Sequence, residues 1–430
     1  MNDVEQTISE VYKTDSAKIL AVLTRLFGTD NFSLAEDVLQ DAFSKAVVHW
    51  QENGLPENPS GWIIQTAKNR AIDSFRANKA KIKLSNDLAH SLNSEWSMGY
   101  TVDKEFTEHK IKDDQLRMIF MCCHEEIKPT NRIPFILKTL CGLSIPAISR
   151  ALLIPEATVK KRLLRTKQQL ADCPFEFPAD DKIATTMDSV HTVLYLLFNE
   201  GFHSSHKDKP VNLSFCQDAI GLVNVLIEEP KVANQDTLAL FALMHFHISR
   251  VDSKLDDEGN SIPIDLQDRK LWRREYINTG NYFLSVALSA PTGASGRFYV
   301  EALIAKEHCE AENFDKTNWQ AITEFYEQLI AITDSPVTRL NHAIALGYSG
   351  EVAEAIAVVE SLCTLKSLAS SHMPIATLAH LNAKAGKAEL AYKLAAEAKE
   401  KGGTPYEHRL MMTQIDRLLG SDLTINHPCS

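Results

Sequence analysis

Residues 144–170, SIPAISRALLIPEATVKKRLLRTKQQL, predict two short helices joined by a tight turn. In the second helix, Val159, Leu163 and Leu170 share one face, whereas basic residues gather on another. One face of such a helix can pack on its partner helix while the other contacts DNA. The stretch is therefore a candidate helix-turn-helix, and its segregated charge strengthens a signal that spacing alone leaves weak. Its candidate DNA-contacting residues are Thr158, Lys160, Lys161, Arg162 and Arg165.

The composition limits the classes of protein to which this chain can belong. Its 430 residues are too many for a single core, and its formal net charge of −11 argues against indiscriminate coating of nucleic acid. The N-terminal residues lack the pattern of a secretory signal, and no apolar run approaches the ~20 residues that span a bilayer. The eight cysteines form no CxxC pair, which indicates reduced thiols. We therefore expect a soluble, cytoplasmic protein that does not contact membranes.

The spacing of the apolar residues predicts an all-α fold. Apolar residues recur every three or four positions almost throughout, and Gly and Pro mark short connections. We expect two small helical domains, at residues 10–84 and 111–175, joined by a loosely ordered linker at residues 85–110. A long helical extension is expected over residues 180–425.

The first domain contains a candidate protein-binding helix. Ser33 to Glu36 form a predicted capping box at its start. The helix that follows carries Asp37, Gln40 and Asp41 outside its apolar stripe. These residues either form an ordinary solvated face or dock on a basic partner protein.

The next helix of this domain has a basic and aromatic pattern. Residues 61–84, GWIIQTAKNRAIDSFRANKAKIKL, contain six basic residues and one acidic residue, a local net charge of +5. Trp62 and Phe75 are interleaved with this charge. Basic residues neutralise phosphates and aromatic rings stack on unpaired bases, so nucleic acid is a candidate partner. The alternative is that both aromatic residues belong to the core and the lysines are only solvated.

The extension contains an internal repeat. Segments around Gly350 and Gly386, which are 36 residues apart, align with alanine at matching offsets, for example Ala343 with Ala379. This spacing is close to the ~34-residue tetratricopeptide period, in which stacked helix pairs form a concave face. We predict a tetratricopeptide-like domain that binds an unknown protein partner and regulates the rest of the chain. The alternative is a packing module that only stabilises it.

Patterns for metal binding or catalysis are weak. Cys122-Cys123-His124 suggests a metal, but adjacent cysteines project from a helix in different directions and nothing nearby completes four ligands. Glu200 beside His203 lacks an accompanying nucleophile or phosphate-binding loop. We therefore expect no metal site, no cofactor and no enzymatic activity.

Several segments of the chain occur in a characteristic order. In the first half they are AEDVLQDAF (35–43), NPSGWIIQTAKNRAIDSFR (58–76), DDQLRMIFMCCHEEI (113–127) and IPEATVKKRLLRTK (154–167). Their order resembles that of bacterial sigma factors of the extracytoplasmic-function (ECF) type. Within the extension, LYLLFNEGF (194–202), Asp268-Arg269 with Trp272, and SPVTRLNHAIAL (335–346) are similar to the subgroup with a long helical C-terminal extension. The resemblance covers nearly the whole chain, and no one segment decides it.

The resemblance implies a function for each segment. Residues 10–84 would be sigma region 2 and residues 111–175 sigma region 4, and the partners would be promoter DNA and the β′ and β subunits of core RNA polymerase. Asp37, Gln40 and Asp41 would dock on the coiled coil of β′, the linker would pass through the RNA exit channel, and the recognition helix would read the −35 element. The residues implied at the −10 element are Trp62, Lys68, Asn69, Arg70, Asp73 and Arg76.

Two other functions fit parts of the pattern. The first is a stand-alone helix-turn-helix regulator with a C-terminal sensing domain, which would bind two half-sites about one helical turn apart without polymerase. The second is a tetratricopeptide adaptor or enzyme whose N-terminal helices only support it. Charge reversal at Lys161 and Arg162 would leave that adaptor fully active.

Overall fold

The computed structural model describes residues 3–420 except 79–101, 103–105, 125, 153, 172, 174, 204–210, 290–295, 366–367, 369–370 and 404. Within these residues the regular elements are helices, apart from one isolated bridge between Leu255 and Ser261. The all-α prediction is therefore confirmed. The chain forms two compact units, Met1–Ala233 and Asn234–Ser430.

The first unit is built around helix α1. This helix packs against α2, α3 and α4, while α7 packs on α5 and α6, and α8 and α9 pack on each other and on α4. The extension predicted from residue 180 therefore begins with two helices that belong to the first compact unit. The helices are α1 (Asp3–Phe27), α2 (Phe32–Asn53), α3 (Pro59–Asn78), α4 (Glu108–Cys122), α5 (Pro129–Thr139), α6 (Ile145–Leu152), α7 (Glu156–Leu170), α8 (Asp180–Phe202) and α9 (Leu213–Ile227).

The start of α2 differs from the sequence prediction. Asn31 is the N-cap, without a side-chain capping bond, and the helix begins at Phe32. The capping box predicted at Ser33 is therefore wrong. A short 3-10 turn leads directly into the helix, and the Glu36 carboxylate contacts Lys167 of α7 instead of the backbone at the helix start.

The second unit consists of successive helix pairs. Helix α14 packs on α15 and α16 on α17, and α15 also contacts α16. The aligned alanines Ala343 and Ala379 are fully buried, and Gly350 and Gly386 have φ angles of 113° and 74° after α14 and α16. Small side chains therefore lie at these helix contacts, as the repeat predicts. The helices are α10 (Gln235–Ile248), α11 (Arg274–Ser289), α12 (Arg297–Glu310), α13 (Trp319–Ile332), α14 (Pro336–Ser349), α15 (Val352–Cys363), α16 (Met373–Lys384), α17 (Ala388–Lys401) and α18 (Pro405–Leu418).

In the part of the chain that the structure describes, none of the helices is both long and apolar enough to cross a membrane.

A buried histidine in α8 makes the stability of the first unit depend on pH. Burial lowers the pKa of His191 from 6.5 to about 3. Its imidazole therefore stays neutral in the folded chain, whereas the unfolded chain gains a proton below pH 6.5, so stability is lost as the pH falls below that value. Between pH 7 and pH 5 we expect a loss of about 2 kcal/mol from this residue. In His191→Gln the decrease in unfolding free energy over this interval, measured by denaturant titration, should be smaller by that amount. An equal decrease in both proteins would contradict the assignment.

Candidate nucleic-acid interface

Helix α7 presents a basic stripe to solvent. Its opposite face buries Val159, Leu163 and Leu170, which hold the helix on α5 and α6. The Ser144 hydroxyl accepts a hydrogen bond from the backbone N–H of Ala147 at 3.3 Å and so caps the first helix of the motif, α6. The helix-turn-helix thus rests on an apolar base. The exposed residues on the outer face are Ala157, Lys160, Lys161, Leu164, Arg165 and Gln168.

The predicted DNA-contacting residues of α7 divide into two groups. Lys160, Lys161 and Arg165 are exposed, and they form no ion pair with any described residue. Thr158 and Arg162 are partly buried, and Arg162 Nη1 donates to the carbonyl oxygen of Thr130 at 3.0 Å. Arg162 therefore connects α7 to the start of α5 and lies beside the exposed stripe.

Leu164 is a feature of this stripe to which the sequence pattern assigned no role. Its side chain is 59% exposed and lies one turn after Lys160 and Lys161. In a major groove, an apolar side chain at such a position can contact a thymine methyl group. Leu164 lies three residues after Lys161 and four after Lys160. This helical spacing could have placed it on the basic stripe from the sequence alone.

In α3 the two aromatic residues have different environments. The Trp62 ring is partly buried, stacks on His49 with centroids 5.4 Å apart, and meets Trp50 edge to face at 5.6 Å. Phe75 is only 3% exposed and packs against Phe27 in the core. The interpretation of Phe75 as a base-contacting residue is therefore wrong, because its side chain lies on the apolar face that holds α3 against α1.

The polar residues predicted for the −10 element lie along α3. Lys68 Nζ lies 5.6 Å from the centre of the Phe106 ring. Asn69 is exposed and accepts a hydrogen bond from Gln65 at 3.2 Å. Asp73 and Arg76 form an exposed ion pair of 3.6 Å. All of these predicted residues lie on α3. The Asp73–Arg76 ion pair is exposed to solvent, so it does little to hold its two side chains in place.

The predicted polymerase-docking residues form one exposed face of α2. Asp37, Gln40 and Asp41 are all exposed, whereas the opposite face is buried in the core. Arg70 of α3 lies 3.3 Å from the Asp41 carboxylate. The acidic face of α2 therefore adjoins the basic residues of α3 at this ion pair.

The two cysteines of the cysteine-rich segment are buried. Cys122 and Cys123 are buried, and Cys122 Sγ lies 3.2 Å from the Thr139 hydroxyl. Burial raises the pKa of the Cys123 thiol to about 12, so the thiol stays protonated at neutral pH. Among the described residues, no three His, Cys, Asp or Glu side chains are placed to hold a metal ion.

Comparison with known proteins assigns the first half of the chain to a family. Residues 11–81 match Sigma-70 region 2, and residues 117–170 match Sigma-70, region 4. The chain is 27% identical over 164 residues to the ECF RNA polymerase sigma factor SigM of Bacillus subtilis (strain 168), covering 38% of this chain and 93% of SigM. It is also 27% identical over 168 residues to SigW of the same organism, covering 39% and 87%. The chain belongs to the ECF-type sigma factors.

Similarity extends beyond the two sigma regions. This ECF-type sigma factor is 31% identical over 335 residues to an uncharacterized protein of Rhizobium meliloti (strain 1021), covering 77% of the chain and 78% of that relative. Residues 186–288 match a family of unknown function, DUF6596. No solved structure matches this sigma factor.

Proposed function

We propose that this sigma factor binds core RNA polymerase, recognises −35 and −10 promoter elements, and promotes opening of the DNA. The observation that carries the proposal is the exposed stripe of Lys160, Lys161 and Arg165 on an apolar base, within the residues that match region 4. Exposed, uncompensated cations on a helix of this motif suit the phosphates and base edges of a major groove. Thr158 and Arg162 border the same surface.

The other two surfaces supply the remaining steps. The exposed acidic face of α2, with Asp37, Gln40 and Asp41, would contact the polymerase β′ subunit, and region 4 would lie near β. Helix α3 would bind the −10 element, with the partly buried Trp62 available to stack on an unpaired base. The residues proposed to bind or position that DNA are Lys68, Asn69, Arg70, Asp73 and Arg76.

The proposal is tested by transcription from a promoter with both elements, using purified core polymerase and the full chain. Transcripts that depend on the added chain and on both elements are expected. A polymerase-independent footprint on two half-sites about one helical turn apart would instead favour the stand-alone regulator.

We further propose that the second compact unit regulates this activity through a protein partner. Its helix pairs resemble scaffolds that bind proteins, and the unit can be removed whole after Ala233 while α8 and α9 remain in place. Coupling between distant sites usually changes a binding affinity by about fivefold or more. We therefore expect residues 1–233, shown to be folded by circular dichroism, to differ from the full chain in transcript yield by at least that factor. Equal yields would show that the second unit does not change the activity by itself, and would contradict regulation that acts without a bound partner.

A further inference from the structure

A loop of the second compact unit joins α10 to α11 and reaches other helices of that unit. This α10–α11 loop, residues 253–272, is closed at its neck, where the Trp272 indole N–H donates to the Ser253 hydroxyl at 2.8 Å. Beside the neck, Arg273 donates two hydrogen bonds to the Asp252 carboxylate, at 2.6 and 2.8 Å. The neck holds the ends of the loop together, so α10 and α11 keep their positions independently of the loop's middle part.

Asp265, in the middle part of the α10–α11 loop, contacts the last helix of the unit. The Gln414 side-chain amide of α18 donates to both carboxylate oxygens of Asp265, at 3.1 and 3.0 Å. Burial raises the pKa of Tyr348 in α14 and lowers that of His380 in α16, and the nearby charge of Asp265 acts upward on both pKa values. One carboxylate of the loop therefore faces α14, α16 and α18, which also contact one another in that order.

The side chains around Asp265 form a polar and aromatic cluster that carries positive charge. The Tyr348 hydroxyl and His380 Nε2 lie 2.8 Å apart. Lys384 Nζ lies 4.6 Å from the centre of the Tyr348 ring, and the same ring stacks on Trp319 with centroids 4.6 Å apart. These contacts hold Tyr348 in place on the helix pairs. We call the following residues the carboxylate cluster: Tyr348, His380, Lys384, Gln414 and Arg417.

The carboxylate cluster can bind more negative charge than Asp265 supplies. A carboxylate accepts up to about four hydrogen bonds, whereas among the described residues the Gln414 amide is the one group that donates to Asp265. Lys384 and the exposed Arg417 are cations that further carboxylates could pair with. In the loop, the buried Gln267 Oε1 atom has no hydrogen-bond partner among the described residues. The loop therefore leaves some of its own polar groups and those of the cluster incompletely satisfied.

We propose that the carboxylate cluster is a binding site for an acidic segment of a partner protein, and that Asp265 of the α10–α11 loop occupies it until that partner binds. A carboxylate of the partner would replace Asp265 at Gln414, and its other acidic residues would pair with Lys384 and Arg417. A tethered ligand competes at a high effective concentration, so the loop raises the affinity that a partner needs. The inference rests on the proposed regulatory role for its effect on transcription, whereas the binding itself is tested without polymerase.

The test measures binding of a fluorescein-labelled peptide to the full chain by fluorescence anisotropy. The peptide carries the loop sequence of residues 260–268, NSIPIDLQD, and so presents the same carboxylate. It should bind Asp265→Asn at least about tenfold more tightly than the original chain, because the loop of this variant competes less well for the cluster. Asp257→Asn, an exposed change in the same loop, is the matched control and should bind the peptide as weakly as the original chain.

Two further comparisons identify the groups that bind the peptide. A peptide with asparagine in place of Asp265 should bind the Asp265→Asn chain at least about tenfold more weakly than the acidic peptide, because it lacks the carboxylate. Adding Gln414→Glu to that chain should abolish binding of the acidic peptide, because the new carboxylate repels it. Circular dichroism checks that each variant is folded, and Asp265→Ala is a second variant with the same expected effect.

The outcomes distinguish this binding site from the proposed function. Equal binding of the peptide to the original and Asp265→Asn chains, or no binding to either, would overturn the proposal and make the loop a permanent part of the unit. Binding that does not depend on the peptide's carboxylate or on Gln414 would also overturn it. Absence of transcription by the full chain would overturn the proposed function, and the peptide affinities would still report on the site.

Discussion

Replacing Asp37 and Asp41 together by lysine is expected to weaken binding to core RNA polymerase about 100-fold. Both carboxylates are exposed on one face of α2, and each reversal exchanges an attractive contact for a repulsive one, at about tenfold or 1.4 kcal/mol per residue. A lysine at position 41 also faces Arg70, which now lies 3.3 Å from the Asp41 carboxylate. Affinity is measured by titrating labelled sigma factor with core polymerase.

The matched control for this variant is Glu52→Lys. Glu52 is exposed near the end of the same helix, so its reversal changes the net charge of α2 without changing the proposed docking face. We expect its affinity to stay within twofold of the original chain, because isolated surface charges contribute little. Equal affinities for all three proteins would show that polymerase binds elsewhere.

Replacing Lys161 and Arg165 together by glutamate is expected to remove −35 recognition. Both side chains are exposed on the outer face of α7, and the reversal places two anions against phosphates. Transcription that depends on the −35 element should fall at least about 100-fold. Replacing both by alanine should reduce the slope of log affinity against log salt by about 2 for a −35 duplex.

Two comparisons make this second result specific. The glutamate variant should bind core polymerase normally, because α7 and the acidic face of α2 use different residues. Lys182→Glu, an exposed reversal at the start of α8, should transcribe normally. If the α7 variant kept full activity, its helix-turn-helix would be only a scaffold, and the tetratricopeptide adaptor would become the better interpretation.

The sequence predicted the helices and the faces of α7 because both depend on local spacing. Val159 and Leu163 are buried and Lys161 is exposed, as their period of three to four residues indicates. The same reasoning could not decide whether Phe75 is buried or contacts DNA, because an aromatic residue within a basic helix can either pack in the core or stack on a base. Its position opposite Phe27 depends on how α3 packs on α1.

Contacts between distant segments lay beyond the sequence pattern. Arg25 and Asp114 are 89 positions apart, and Lys167 and Glu36 are 131 positions apart. No local periodicity relates such residues, because their meeting depends on the packing of complete helices. For the same reason the sequence did not predict that α8 and α9 belong to the first compact unit.

The burial of the thiols also limits how a stimulus can reach this sigma factor. Six of the described cysteines are buried, and the seventh, Cys363, is partly buried. Burial raises the pKa of Cys309 to about 11 and also raises that of Cys363. Peroxides and electrophiles react with thiolates, which these cysteines scarcely form at neutral pH. Oxidants are therefore expected to react slowly with Cys309 and Cys363 in the folded chain.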